Sequence, residues 1–187
     1  MFIVIKEKDR VIVMSSVTDN IKRMANADMV CEDNRVIRVN GDVIYCFSVA
    51  GRSADIFLYD DRFYEFEVSP ESIVNDMIPY MYQKVRHEKD LDDKQWDNPC
   101  WDNALTIIKD NRIFDITPSF YFKEENDFLV HGWNIEPVIG SLETTRGEDA
   151  ETRIRKAVGL YRKVYYDTVY PCVVVDSKEM KLQIWEE

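Results

Sequence analysis

The pattern of apolar and polar positions opens with two short β-branched runs, Phe2-Ile-Val-Ile5 and Val11-Ile-Val-Met14, parted by the charged stretch Lys6 to Arg10. Two such runs with a polar break predict a β-hairpin. Both are nearly continuous rather than alternating, which predicts strands covered on both faces inside a layered domain. Ser15 to Asp33 reads as a polar, turn-rich connection. Arg35–Val39 and Asp42–Phe47 then flank Asn40-Gly41, a dipeptide suited to the positive φ angles of a type I′ turn, so a second hairpin is predicted. A helix follows, capped by Ser53 and running from Ala54 to Phe66 with an aromatic stripe on one face. The next starts at Ser69-Pro70-Glu71-Ser72 and continues to about His87, with Pro79 expected to kink it or shift its hydrogen-bond ladder. Glu88 to Asn103 reads as an exposed acidic loop. Its spacing lacks the glycine and terminal glutamate of an EF-hand, so a solvated loop is favoured over a calcium site.

Strands resume at Leu105–Ile108 and Ile113–Ile116, then at Tyr121-Phe122 and Phe128–Val130. Pro137–Ser141 reaches a loop, and Gly147-Glu-Asp149 opens a helix whose Ile154, Ala157, Val158, Tyr161, Val164 and Tyr165 form an apolar stripe. Cys172–Val175 and Lys181–Trp185 close the chain as a hairpin. The order is four strands, two helices, several strands, one helix, two strands. Helices segregated in this way fit an α+β fold, a four-layer αββα sandwich of two antiparallel sheets between helical layers.

Composition narrows what such a fold can do. The 187 residues, 45% apolar and 12% aromatic, suffice for one core, so a single domain over 1–187 is expected. A formal charge of −11 argues against nucleic acid, which demands a concentrated basic face. The charges of Lys6 to Arg10 interrupt the first apolar run too early for a secretory signal, and no run reaches the roughly 18 residues of a membrane span. A cytoplasmic location is expected. Cys31, Cys46, Cys100 and Cys172 lie far apart without a CxxC pair, which signals neither zinc nor a disulfide framework; Cys46 and Cys172 are expected as buried thiols. With His87 and His131 the only histidines, no metal or other cofactor is expected.

Phe2-Ile-Val-Ile, Arg10-Val-Ile-Val-Met-Ser-Ser, Asn34-Arg-Val-Ile-Arg-Val-Asn-Gly41, Ala50-Gly-Arg-Ser-Ala-Asp55 and Val138-Ile-Gly-Ser141 follow one another in an order and spacing that resembles proteasome β subunits and their bacterial HslV-type relatives. The resemblance spans nearly the whole chain and implies an N-terminal-nucleophile (Ntn) hydrolase fold in subunits that stack into rings. The family's enzymes are threonine peptidases whose first residue supplies both the hydroxyl nucleophile and the α-amine base.

Carried over residue by residue, the resemblance gives a degenerate site. Gly51 matches the glycine whose N–H stabilises the oxyanion, Ser141 the serine near the active terminus, and Asp167 the late aspartate. The nucleophile position holds Met1, with no hydroxyl or thiol. Ser16 stands where an aspartate is expected, Arg35 replaces a lysine, and Tyr170 lies near an expected serine. Arginine does not share a proton as lysine can. A plain structural role for Gly51, Ser141 and Asp167 competes evenly with the functional one. Cleavage exposing Ser15 or Ser16 would delete the first strand and is disfavoured; bulky Phe2 is expected to keep Met1 in place.

The sequence thus points to a proteasome-like protein without peptidase activity that acts as an assembly or binding subunit. The alternative is an active Ntn-type threonine peptidase or amide hydrolase with an unrecognised nucleophile. Expected partners are copies of itself or related subunits, meeting through an apolar helical layer of Phe57, Tyr59, Phe63, Phe66, Met77, Tyr80 and Met81. An anionic ligand or a peptide could also occupy the cleft beside Arg35, although a salt bridge to Glu32, Asp33 or Asp167 competes for that arginine.

Overall fold

The computed structural model describes residues 1–16, 22–23, 29–32, 35–47, 55–88, 101, 103–132, 134–165 and 172–186. Phe2–Lys6 (β1) and Val11–Ser16 (β2) form the expected hairpin, with Ile3 opposite Met14. The stretch read as a polar connection instead carries the end of β2 and two short strands, Lys22–Arg23 (β3) and Met29–Glu32 (β4), so among the described residues six strands precede the first helix. Strands this short are held by backbone pairing to their neighbours, which an apolar-pattern reading does not register. Arg35–Asn40 (β5) and Val43–Phe47 (β6) make the second hairpin with Asn40 opposite Val43. Its turn residues are therefore Gly41 and Asp42, and only Gly41 has positive φ (61°). That is the pattern of a type II′ turn, one residue later than the predicted type I′.

The predicted helix from Ala54 to Phe66 is broken. Asp55–Leu58 (α1) is followed by a turn at Tyr59, and a separate 3-10 turn spans Asp61–Glu65. Asp60 sits at the break, where it accepts hydrogen bonds from the Tyr80 hydroxyl (2.5 Å) and Lys84 Nζ (2.7 Å). The second helix is a short α-turn Pro70–Ser72 (α2), a π-turn Ile73–Met77 and Ile78–Glu88 (α3). Within it the Ile78 N–H donates to the Ile73 carbonyl. Pro79 has no N–H for the carbonyl one turn back, and the π-turn directly before it is where the ladder rearranges, as the proline led one to expect.

Burial alone would raise the Asp60 carboxyl, but Lys84 and Tyr80 outweigh it and hold it below the ordinary value of 3.8. A depressed folded value means that the stabilisation is present above the unfolded value and is lost as pH falls through the folded one. Asp60→Asn is accordingly expected to flatten the loss of stability below about pH 4. Urea midpoints across an acid pH series check this; an acid limb unchanged by the substitution would count against the pairing.

Leu105–Lys109 (β7), Arg112–Ile116 (β8), Phe122–Glu125 (β9) and Phe128–His131 (β10) follow. The β7–β8 turn carries Asp110 and Asn111 at φ 51° and 57°, so the type I′ geometry lies here. Pro137–Ser141, read as running into a loop, belongs to a helix, Glu136–Thr144 (α4), with Pro137 in its first turn where the missing N–H costs nothing. Ala150–Tyr165 (α5) and the closing hairpin Cys172–Asp176 (β11) and Lys181–Trp185 (β12) complete the chain as expected.

Two antiparallel sheets result, ordered β10-β1-β2-β11-β12 and β3-β4-β5-β6-β7-β8-β9. Phe2, Val4, Val11 and Val13 of the first meet Ile37, Ile44 and Ile108 of the second in the core between them. Ile3, Ile5, Ile12 and Met14 turn the other way and pack with Val138, Leu142, Ile154 and Val158 of α4 and α5. Tyr45, Phe47, Leu105, Ile107 and Phe114 turn outward from the second sheet onto Phe57, Phe63, Ile73, Met77 and Met81. This is the four-layer sandwich, with β1 and β2 covered on both faces as their unbroken apolar runs required.

Two corrections concern the first helical layer. Trp101, placed by the sequence in an exposed acidic loop, is fully buried. Phe57, Phe63, Met77 and Met81, offered as surplus apolar surface, are buried too, and Tyr59 alone of that stripe is largely exposed. The wide seven-stranded sheet consumes the aromatic surface that a narrower one would leave over. Cys46 and Cys172 are buried thiols, as expected.

Candidate functional site

The site that the resemblance implies lies at the start of β1. Met1 is buried, and its α-amine donates to Ser16 Oγ at 2.7 Å. The Ser16 N–H and Oγ–H both donate back to the Met1 carbonyl, at 2.9 and 3.2 Å. These bonds extend the β1–β2 ladder by one residue pair and give the amine a neutral hydroxyl as a partner. The Met1 side chain enters the core between the first sheet and α4–α5. A thioether has no proton to lose, and the Met1 side chain carries neither hydroxyl nor thiol.

Sequence reasoning missed the residue that closes over Met1 on the other side. Gly132, just after β10, has φ +144°, and a Cβ there would sit 3.2 Å from the Met1 Cα. Only glycine combines that conformation with that approach.

Ser141 stands inside α4, on the buried face it shares with Val138 and Leu142. Met1 belongs to the same core cluster, so this face of α4 is turned toward the core that receives Met1. The Ser141 carbonyl is occupied at the helix end, accepting from the Thr144 and Thr145 hydroxyls at 3.0 and 2.7 Å. Arg35 opens β5 opposite Glu32 in backbone register. Its side chain, Gly51, Asp167 and Tyr170 lie outside the described residues. The structure therefore brings Met1 and Ser16 into direct contact and leaves Ser141 across a shared core.

A second polar cluster lies between the sheets. His131 Nε2 and the Thr106 hydroxyl both meet Asp115 Oδ1 at 3.0 Å. Thr106 and Asp115 are opposite residues of β7 and β8 in the second sheet, whereas His131 pairs with Phe2 in the first and stacks on its ring. The signal was present in the sequence as an aspartate inside the apolar run Arg112-Ile-Phe-Asp-Ile116. A carboxylate buried to 5% exposure requires partners, and its hydrogen bonds to Thr106 and His131 come from different sheets. Burial raises the Cys172 thiol to about 11, so this cysteine, opposite Ser16 on β11, is held as an unreactive thiol. Among the described residues no group of acidic, histidine and cysteine side chains could hold a metal ion. No helix among them is long and apolar enough to cross a membrane.

No family model and no curated protein matches the sequence. Solved structures do match, over nearly the full length. The BPH protein of Thiobacillus denitrificans superposes with a TM-score of 0.66 at 14% identity, covering 94% of this chain and 96% of its own. HslV from Trypanosoma brucei gives 0.57 at 12% identity, covering 94% and 97%. This is the proteasome-like Ntn-hydrolase fold. Anbu, an ancestral β-subunit from Yersinia bercovieri, matches at 0.61 with 10% identity over the whole of this chain and 87% of its own. At such identities the likeness establishes the fold, and the chemistry has to be read from this chain's own residues.

Proposed function

We propose that this chain is a subunit of a proteasome-like assembly that does not hydrolyse peptides. The observation that carries the reading is the Met1 niche, where the residue at the nucleophile position is a buried thioether. Acyl transfer requires an attacking group, a base within hydrogen-bond reach and oxyanion donors. Losing the first removes the reaction even where the architecture around it survives. Support for an assembling role comes from the neighbours, one of which, Anbu from Pseudomonas aeruginosa, is described as a helical assembly.

One observation favours the second reading, an active amide hydrolase. Ser16 Oγ and the Met1 amine, 2.7 Å apart, are the two group types that an Ntn mechanism joins, although here they sit on different residues. Ser16 is 8% exposed and occupied on both sides by Met1, which leaves its hydroxyl poorly placed for attack.

Fluorogenic peptides and an N-terminal-threonine-directed covalent inhibitor test the two readings together. Epoxomicin is a suitable reagent, since the Thiobacillus denitrificans protein has been solved in complex with it. No turnover and no mass adduct are expected. Turnover that the inhibitor abolishes, or that Ser16→Ala removes from a folded protein, would overturn the proposal.

A further inference from the structure

One surface on each of the two outer helical layers is strongly charged, and the two signs are opposite. From Thr152 to Tyr165, α5 contains five Arg or Lys residues and no carboxylate, in a chain whose net charge is −11. Arg155, Lys156, Arg162 and Lys163 are exposed along it, and between them Leu160, Val164 and Tyr165 are 40%, 47% and 38% exposed. The carboxylates of this layer lie on α4, just before α5 and, as Glu151, in the first turn of α5; Glu143 pairs with Arg146 and Glu148 with Lys156. Arg155 rests over the Trp185 ring, and Arg162 and Lys163 lie in the last turn of the helix.

On the far side of the sandwich the pattern inverts. Residues 59–76 hold six carboxylates and one arginine. Asp60 is neutralised by Lys84, while Asp61, Glu65, Glu67, Glu71 and Asp76 are exposed. This face has its own apolar points in Tyr59 and Val74, 64% and 46% exposed. Each face thus sets apolar points among charges mainly of one sign, with Arg62 and Arg86 the exposed exceptions on the acidic side and Glu151 the exception on α5, and the two dominant signs are opposite.

We propose that these faces dock on each other, the α5 ridge of one copy against the acidic α2–α3 face of the next. This deepens the reading of the chain as an assembling subunit and rests on it. Charge complementarity decides the occupant and the geometry. A two-fold contact through α5 would oppose Arg162 and Lys163 with themselves, and one through the other face would oppose Glu71 and Asp76 with themselves; like charges face to face oppose association. Only a head-to-tail contact pairs unlike faces, and such contacts propagate along a row of subunits unless a rotation closes them. Because the two faces lie on opposite layers, growth runs through the thickness of the sandwich.

Light scattering and sedimentation of the full chain test this, at about 0.05 M and about 0.5 M salt, where screening differs several-fold. Association that grows past the dimer with concentration and weakens by about tenfold or more at high salt is expected. Arg162→Glu with Lys163→Glu should each leave a folded monomer when combined in one chain, as should Glu71→Lys with Asp76→Lys. Mixing these two double variants should restore assembly, since the acidified α5 of one meets the basified face of the other. A wild-type chain that stays monomeric at low salt would overturn the proposal. So would an acidic-face double variant that still associates like the wild type, which would reveal a two-fold contact. Peptide turnover is read separately, so turnover by an intact stack would overturn the non-peptidase reading and leave this one standing.

Discussion

Trp101→Ala is expected to lower the unfolding free energy by about 3–5 kcal/mol, the range for truncating a large buried aromatic. Trp101 is fully buried and holds three rings at once. Phe47 and Phe57 meet it edge-on, with centroids 6.2 and 5.3 Å away, and Phe120 stacks on it at 17° between planes. Phe120 reaches that position with φ +62°, a left-handed conformation that a bulky side chain adopts only at a cost of about 1–3 kcal/mol. The stacking offsets that cost. Removing the indole leaves a cavity and takes away one of the ring contacts that hold Phe120, the edge-on contact with Tyr82 remaining, so the loop Thr117–Phe120 should loosen with it. Urea unfolding should show a lower midpoint at an unchanged slope, and Trp101→Phe should recover much of the loss. A loss below about 1 kcal/mol for the alanine variant would mean that the indole is not a core residue.

Asp115→Ala is expected to cost about 2–4 kcal/mol, because it removes the acceptor of two bonds and strands the fully buried Thr106 hydroxyl. Asp115→Asn should cost less, since a carboxamide oxygen still accepts. Thr106→Val removes one donor without orphaning the carboxylate, which keeps His131. Because Thr106 and His131 meet on one oxygen, their substitutions should be non-additive by about 0.5–3 kcal/mol in a double-mutant cycle, whereas residues on separate networks add. Additivity would show that the carboxylate does not join the sheets. The consequence for the candidate site is positional. His131 precedes Gly132, and Gly132 closes over Met1, so slackening this link should disturb the Met1 niche before the helical layers.

Much of the molecule was legible in the sequence because hairpins, caps and amphipathic stripes are encoded by residues close in the chain. Unbroken β-branched runs told that β1 and β2 are covered twice. Ser69 and Pro70 marked a helix start, and the Ser69 hydroxyl accepts from the Ser72 N–H there. At the candidate site the missing hydroxyl at Met1 and the serine at position 16 were likewise readable, since they depend on residue identity alone.

What only the tertiary structure decided concerns partners distant in the chain. Apolar periodicity tells a strand which faces are buried but not which strand lies beside it. That β2 pairs with β11, about 160 residues on, and β1 with β10 follows from how the whole chain closes. The same holds for Trp101, whose acidic neighbours suggested solvent while the width of the seven-stranded sheet supplied a core to fill. It holds for the break after α1, where aromatic spacing favoured one helix but Asp60 found Tyr80 and Lys84 on α3. Met1, Ser16 and Gly132 meet only because three strands align at one end. Asp115 and His131 meet because two sheets stack face to face, a distance in space that no spacing along the chain records.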